Sequence, residues 1–109
     1  MTGETENLHP DLVWKLNRLE ALCGFELSIN SGFRSPEKNA DPKVKGVKNS
    51  AHLTREAVDI DTSTSAMRYK LVKIGLELGF NRIGIGKTFV HLDTSRELPQ
   101  AVMWHYYPK

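Results

Sequence analysis

Two histidines and one aspartate are the residues of this chain whose types and spacing could do chemistry. His52 precedes Asp59 with six residues between them, and His91 interrupts an apolar run at residues 89–92. Imidazole and carboxylate are both good zinc ligands, and a catalytic zinc takes three protein ligands and leaves one position open. The three residues therefore suggest a zinc site whose bound water is acidic enough to be a nucleophile near neutral pH.

The strands predicted to carry Asp59 and His91 separate polar from apolar side chains. Side chains two residues apart share a face of a strand, so Asp59 and Asp61 point the same way, as do His91 and Asp93. The opposite face is apolar and carries Val58, Ile60, Val90 and Leu92. This arrangement is how a sheet would present a metal site above a core.

A plainer interpretation makes His52 a loop histidine and Asp59 a surface or capping carboxylate, and the spacing alone favours it. The positions of Asp59 and His91 inside apolar strands count against it, because an unpaired polar group is costly to bury there. A metal could serve as the partner of both. Chemistry alone does not decide between Asp59 and Asp61, since the two share a face.

Periodicity predicts two helices. The first covers residues 10–23, with Pro10 at its first position, His9 at its entry and Gly24 at its stop. Its apolar stripe is Leu12, Leu16, Leu19 and Cys23, widened by Val13 and Leu22. The second follows possible N-caps at residues 62–65, ends at Gly79 and has a stripe of Met67, Leu71, Ile74 and Leu78.

Five strands are predicted at residues 25–29, 57–60, 82–85, 89–92 and 102–106, with a hairpin turn at Gly86 and Lys87. The fold class is therefore α+β, with two helices packed on one face of a small, mostly antiparallel sheet. Residues 34–49 are polar and predict one long loop, a kind of segment that is often functional. Its lysines are expected to form a solvated face rather than an anion site.

Length and composition restrict the function classes. A chain of 109 residues forms a single domain, residues 1–109, and a net charge of +2 does not indicate a nucleic-acid partner. The single cysteine, Cys23, is expected to be packed and inert. We expect no membrane insertion and no signal peptide, hence synthesis in the cytoplasm and delivery by another route. Nothing in the sequence demands more than a monomer.

Four ordered motifs carry a resemblance to a known family. They are residues 31–36 (SGFRSP), 46–54 (GVKNSAHLT), 57–60 (AVDI) and 89–91 (FVH). Together they resemble the zinc D-alanyl-D-alanine peptidases, which include bacterial carboxypeptidases and endopeptidases and phage L-alanyl-D-glutamate endolysins. The fold of that family is shared by hedgehog signalling domains. Within that family, the short chain without a visible signal favours a phage or prophage type.

The resemblance implies Zn²⁺ held by His52, Asp59 and His91, and it selects Asp59 over Asp61. It also implies that Arg34 holds a substrate carbonyl or carboxylate, a task suited to a guanidinium fork, and that Ser50 is a further substrate contact. The implied substrate is the peptidoglycan stem peptide, cut at an amide bond at the bacterial cell wall.

Two positions depart from the family pattern. Arg55 stands where the family usually has glycine. Thr88 stands where many members carry the glutamate or aspartate that acts as general base, and a threonine cannot do that job. Asp93, on the face of His91, is the predicted substitute for this base, and His105 is the next candidate.

Two other hypotheses accompany that of a zinc cell-wall peptidase. One is a binding module that kept the fold and the metal but has weak or no catalysis, which the Thr88 position motivates. The other is an α+β interaction domain without metal.

Overall fold

The secondary structure is known from a computed structural model that describes residues 1–33, 35 and 51–107. Within these residues, two helices and six strands occur in the order β1 (Thr2–Gly3), α1 (Pro10–Cys23), β2 (Ser28–Ser31), β3 (Ala57–Asp61), α2 (Ser65–Glu77), β4 (Arg82–Ile85), β5 (Phe89–Asp93) and β6 (Val102–His105). The predicted α+β class is confirmed.

The strands form one sheet in the order β1-β2-β3-β5-β4-β6. The three central pairings are antiparallel, whereas β1 pairs with β2 and β4 pairs with β6 in parallel. The sheet is therefore mixed, and the prediction of a mostly antiparallel sheet was wrong in this respect. Both parallel pairs lie at the sheet edges. Helix α1 supplies the crossover between β1 and β2, and the chain reverses twice between β4 and β6.

The core lies between the apolar face of this sheet and the two helices, as predicted. Four side chains of α1 (Leu12, Leu16, Leu19 and Cys23) and Leu71 of α2 pack against Ile29, Val58, Ile60, Ile83, Val90 and Leu92. The predicted packing of Cys23 is confirmed, since the residue is only 1% exposed. Leu22 does not widen the stripe, because it is 52% exposed.

The ends of α1 follow from its sequence. The Nδ1 atom of His9 accepts a hydrogen bond from the Asp11 backbone N–H at 3.2 Å and so caps the helix. Gly24 ends the helix with a left-handed φ of 76°, a conformation that glycine adopts without strain. His9 thus has a structural task at the helix entry.

Several boundaries differ from the prediction. The strand predicted at 25–29 is β2, which begins three residues later, and β1 was not predicted. The hairpin turn is confirmed, with the Gly86 N–H donating to the Phe89 carbonyl at 2.9 Å. The predicted loop at 34–49 lies outside the described residues, apart from Ser35.

None of the helices in the described ranges is long and apolar enough to cross a membrane.

Candidate metal centre

The polar face of the sheet is built from rows of residues that pair across neighbouring strands. In one row, Asp59 of β3 pairs with His91 of β5, His91 pairs with Gly84 of β4, and Gly84 pairs with Trp104 of β6. The alternation of side chains along a strand therefore brings the carboxylate of Asp59 beside the imidazole of His91. The His91 Nδ1 atom lies 2.9 Å from Asp59 Oδ1.

His52 reaches the same point from the turn at residues 51–55, immediately before β3. The Glu56 N–H donates to the Ala51 carbonyl at 3.1 Å and closes this turn. The His52 Nδ1–H donates to the Gly32 carbonyl at 2.7 Å, which fixes the ring orientation. His52 Nε2 consequently faces Asp59 Oδ1 at 3.4 Å, and the ring is only 2% exposed.

The turn that carries His52 contains the residue that departs from the family's usual glycine. Arg55 adopts a left-handed backbone conformation with φ of 67°. Its carbonyl accepts a hydrogen bond from the His9 backbone N–H at 2.8 Å, which ties the turn to the start of α1. The turn therefore keeps the conformation that favours glycine, and the arginine side chain tolerates it with some strain.

The donor set fits a divalent metal ion such as zinc. One ligand atom each from His52, Asp59 and His91 lies within 4.8 Å of the others. Zinc bonds of about 2.0–2.2 Å in tetrahedral geometry require ligand atoms roughly 3.3 Å apart. This is close to the distances from Asp59 Oδ1 to His52 Nε2, 3.4 Å, and to His91 Nδ1, 2.9 Å. Both imidazoles are buried and the Asp59 side chain is 15% exposed. These three residues could hold a metal ion.

The electrostatics of the cluster favour an ionised carboxylate between the rings. Burial acts to raise the pKa of Asp59, but hydrogen bonds from His52 and His91 outweigh it and hold the pKa well below its ordinary value. Burial likewise acts to lower the pKa of His91, and hydrogen bonds to Asp59 and Asp93 outweigh it and raise the pKa. The site therefore attracts positive charge, which suits a cation.

Asp93 lies two residues after His91 on the same face of β5, where it pairs with Ala57 of β3 and Arg82 of β4. Asp93 and Asp59 contact opposite nitrogens of the His91 ring. The Asp93 Oδ2 atom is 2.7 Å from His91 Nε2, and its Oδ1 accepts hydrogen bonds from the Arg82 Nε–H at 2.8 Å and the Ser95 backbone N–H at 3.2 Å. Asp93 is 1% exposed. The structure thus brings Asp93 to His91, as predicted, while its role as general base stays a prediction.

Two residues beside the cluster, Trp104 and Arg82, were not identified as site residues in the sequence analysis. The Trp104 ring lies 5.3 Å from the His91 ring and 5.0 Å from the Arg82 guanidinium, measured to ring centroids. A Cβ on Gly84 would come within 2.7 Å of Trp104 Nε1, so glycine lets the ring lie across the strand. A glycine inside a strand indicates such a close approach, and this signal could have identified Trp104.

The other residues singled out in the sequence are either not described by the structure or make contacts of their own. Arg34 and Ser50 are outside the described residues. Thr88 is exposed and its carbonyl accepts a hydrogen bond from the Thr62 N–H. His105 is exposed at the edge strand, where its Nδ1 accepts from the Tyr107 N–H. Asp61 is exposed and receives a hydrogen bond from Ser28 at 3.4 Å, apart from the cluster.

An α+β domain that presents two imidazoles and a carboxylate on the polar face of its sheet belongs to the class of candidate metalloproteins. Comparison with known proteins narrows this class. A model of the family described as Peptidase M15 matches residues 2–93, which include all three residues of the cluster. A search of curated proteins and a search of solved structures found no match.

The chain therefore belongs to the Peptidase M15 family, whose members are metal-dependent peptidases. The match ends at Asp93, so β6 with Trp104 lies beyond the matched residues.

Proposed function

We propose that this protein is a zinc-dependent peptidase that hydrolyses amide bonds in peptidoglycan stem peptides, of the D-Ala-D-Ala or the L-Ala-D-Glu type. The observation that carries the proposal is the convergence of His52, Asp59 and His91 within 4.8 Å in a chain of the Peptidase M15 family. The same observation counts against an interaction domain without metal. The proposed place of action is the bacterial cell wall, reached by release or by phage delivery.

In this proposal, His52, Asp59 and His91 hold the zinc ion. Bound zinc would supply Lewis-acid polarisation of the scissile carbonyl and an acidic water molecule. Asp59 contributes negative charge between the two imidazoles, while Gly32 fixes the ring of His52 through its carbonyl. Arg34 and Ser50 are proposed to bind and orient the stem peptide, as the resemblance implies.

A second candidate function is a zinc-containing cell-wall-binding module with little or no catalysis. Two observations favour it. Thr88 occupies the position of the usual carboxylate, and Asp93, the substitute, is buried with both oxygens engaged by neighbouring groups. If no base reaches the zinc-bound water, the protein would bind the stem peptide but not hydrolyse it.

Digestion of purified peptidoglycan by the zinc-loaded protein, with mass analysis of the products, tests the proposal. A peptidase should release fragments with new termini at D-Ala or at the L-Ala-D-Glu bond. The variant His52→Ala should release none, whereas Asp61→Asn, which changes an exposed carboxylate of the same strand, should act like the wild type. Peptidoglycan that sediments with the protein but yields no new termini would favour the binding module.

A further inference from the structure

Asp93 is the most deeply buried carboxylate beside the proposed zinc site, with its side chain 0% exposed. It ends β5 and shares a face with His91. Its Oδ2 atom lies 2.7 Å from His91 Nε2, which is the ring nitrogen on the side away from Asp59. A buried carboxylate is costly unless several donors satisfy it, so the local sequence must supply those donors.

Arg82 supplies the largest part of this compensation. It is the cross-strand partner of Asp93 on β4, and its Nε–H donates to Asp93 Oδ1 at 2.8 Å. Its Nη1–H donates to the Pro99 carbonyl at 2.6 Å, so the guanidinium is held at both ends. The Ser95 N–H adds a third hydrogen bond to the carboxylate at 3.2 Å. Asp93 therefore has little freedom to rotate.

Trp104 lies against both partners of Asp93. Its ring lies 5.3 Å from that of His91 and 5.0 Å from the guanidinium of Arg82. Cation–π contact favours the position of Arg82, and the indole restricts the position that the imidazole can take. Trp104 of β6 therefore contacts the proposed ligand His91 by packing and contributes no ligand atom of its own.

We propose that Asp93, clamped by Arg82, is a positioning residue that keeps the proton of His91 on Nε2 and so presents Nδ1 to the metal ion. The inference rests on the proposed function, because it assigns a task to a neighbour of a proposed zinc ligand. A histidine ligand commonly donates its second ring N–H to a carboxylate, which fixes the tautomer and raises the basicity of the ligand nitrogen.

This role differs from that of a general base. The two ring nitrogens lie on different edges of the imidazole, so a carboxylate bonded to Nε2 is separated by the ring from an ion bound at Nδ1. Asp59 lies on the Nδ1 side of the ring, and its Oδ1 atom is also the atom that His52 Nε2 faces at 3.4 Å. Asp93 acts on the metal site through His91 and not on the bound water.

The two histidines make the test internally controlled, because different partners hold them. His52 donates from Nδ1 to the Gly32 carbonyl and presents Nε2, whereas His91 has Nε2 on Asp93 and presents Nδ1. Replacement of Asp93 should therefore disturb His91 and leave His52 unchanged.

The experiment compares wild type with Asp93→Asn, Arg82→Lys, Arg82→Met and the control Asp61→Asn. Zinc affinity is measured by competition with a chelating dye, and circular dichroism confirms the fold of each variant. Asp93→Asn should weaken zinc binding by about 10- to 100-fold. Arg82→Met should weaken it by less, and Arg82→Lys should retain most of the affinity because it keeps a cation beside Asp93. Asp61→Asn should bind zinc like the wild type.

A second readout names the ligand nitrogen. In the wild-type protein loaded with zinc and labelled with ¹⁵N-histidine, long-range ¹H–¹⁵N spectra should show His91 metallated at Nδ1 and protonated at Nε2. Asp93→Asn, whose amide can either accept from or donate to Nε2, should lose this single pattern while the His52 signals remain. If Asp93→Asn does not fold, the same spectra of Arg82→Met and Arg82→Lys test the inference. Arg82→Met should disturb the His91 signals more than Arg82→Lys does, and equal His91 signals in the two variants would overturn the inference.

The outcomes separate the inference from the proposed function. A wild-type protein that binds no zinc contradicts the proposed function, and with it the inference. A wild type that binds zinc, together with an Asp93→Asn variant of unchanged affinity and unchanged His91 signals, overturns the inference alone. Loss of peptide hydrolysis in that unchanged variant would assign Asp93 as the general base instead.

Discussion

At the scale of single residues, each group of the proposed zinc site is held by a partner of a different kind. A backbone carbonyl orients His52, while a cross-strand neighbour positions Asp59 and a buried carboxylate holds His91. Two of these partners, the Gly32 carbonyl and Asp93, are not proposed ligands, and sequence patterns identify them less readily than the ligands. Alternation along β3 and β5 was sufficient to put Asp59 and His91 on one face.

Arg55 supplies a prediction at this scale. Its left-handed φ of 67° costs an L-residue about 1–2 kcal/mol, whereas glycine loses about 0.5–1 kcal/mol through the entropy of the unfolded chain. Arg55→Gly should therefore raise the free energy of unfolding by up to about 1 kcal/mol. Urea titration followed by circular dichroism measures the change.

The matched control is Arg55→Ala, which removes the exposed side chain but keeps the strained backbone. It should leave the free energy of unfolding nearly unchanged or slightly lower. If alanine stabilises the protein as much as glycine does, the arginine side chain rather than the backbone conformation is unfavourable.

At the scale of elements, helix α1 supports the sheet that carries the site. Its buried face belongs to the same core cluster as the apolar side chains of β3 and β5, which lie on the face opposite Asp59 and His91. The helix periodicity, the entry at Pro10 and the stop at Gly24 were readable from the sequence because each depends on local chemistry. Whether Leu22 belongs to the buried stripe depends on how α1 meets α2, which local chemistry does not determine.

Leu16 and Leu22 make a matched pair for testing this packing. Leu16 is 0% exposed and Leu22 is 52% exposed. Leu16→Ala should lower the free energy of unfolding by about 2–5 kcal/mol, because it leaves a cavity in the core. Leu22→Ala should change it by less than about 0.5 kcal/mol. Denaturant unfolding of the two variants checks the difference, and equal losses would contradict the assigned orientation of α1.

The sheet edges show why some of the fold was not predictable. Strand β1 is too short for its two residues to give a periodic pattern, and it forms only because α1 returns the chain to β2. The parallel pairing of β6 with β4 depends on the path of the chain after Asp93, which turn signals do not specify. The approach of Trp104 to His91 follows from that pairing and was missed for the same reason.

At the scale of the whole molecule, the proposed zinc ion would join segments that are far apart in the sequence. His52 comes from a turn, and Asp59 and His91 come from two paired strands. A ligand that binds the folded state alone stabilises it by about 2.7 kcal/mol at a free concentration 100 times its dissociation constant. The proposed zinc ion should therefore contribute to the stability of the fold as well as to the proposed chemistry.

Metal removal should make the fold less stable, and Cys23 provides a reporter. Burial raises the pKa of the Cys23 thiol, although Lys70 nearby opposes the shift, so the native thiol should resist alkylation. Treatment with a chelator should lower the thermal midpoint and speed alkylation of Cys23, as followed by mass spectrometry.

The raised pKa of the Cys23 thiol also affects the pH dependence of folding. The folded state should lose stability as the pH rises above the ordinary pKa of a thiol.

The His52→Ala variant is the control for metal removal. It should alkylate faster than the wild type and respond little to the chelator. An equal response of wild type and variant to the chelator would show that the stabilising metal, if any, is bound elsewhere.

The zinc content of the purified protein tests the central claim most directly. Elemental analysis after equilibration with zinc and removal of free metal should give about one zinc per chain for the wild type and for Asp61→Asn. The content should fall to near zero for His52→Ala, Asp59→Asn and His91→Ala, each checked for its fold. A wild type without zinc, or a His52→Ala variant that still holds one zinc per chain, would contradict the account.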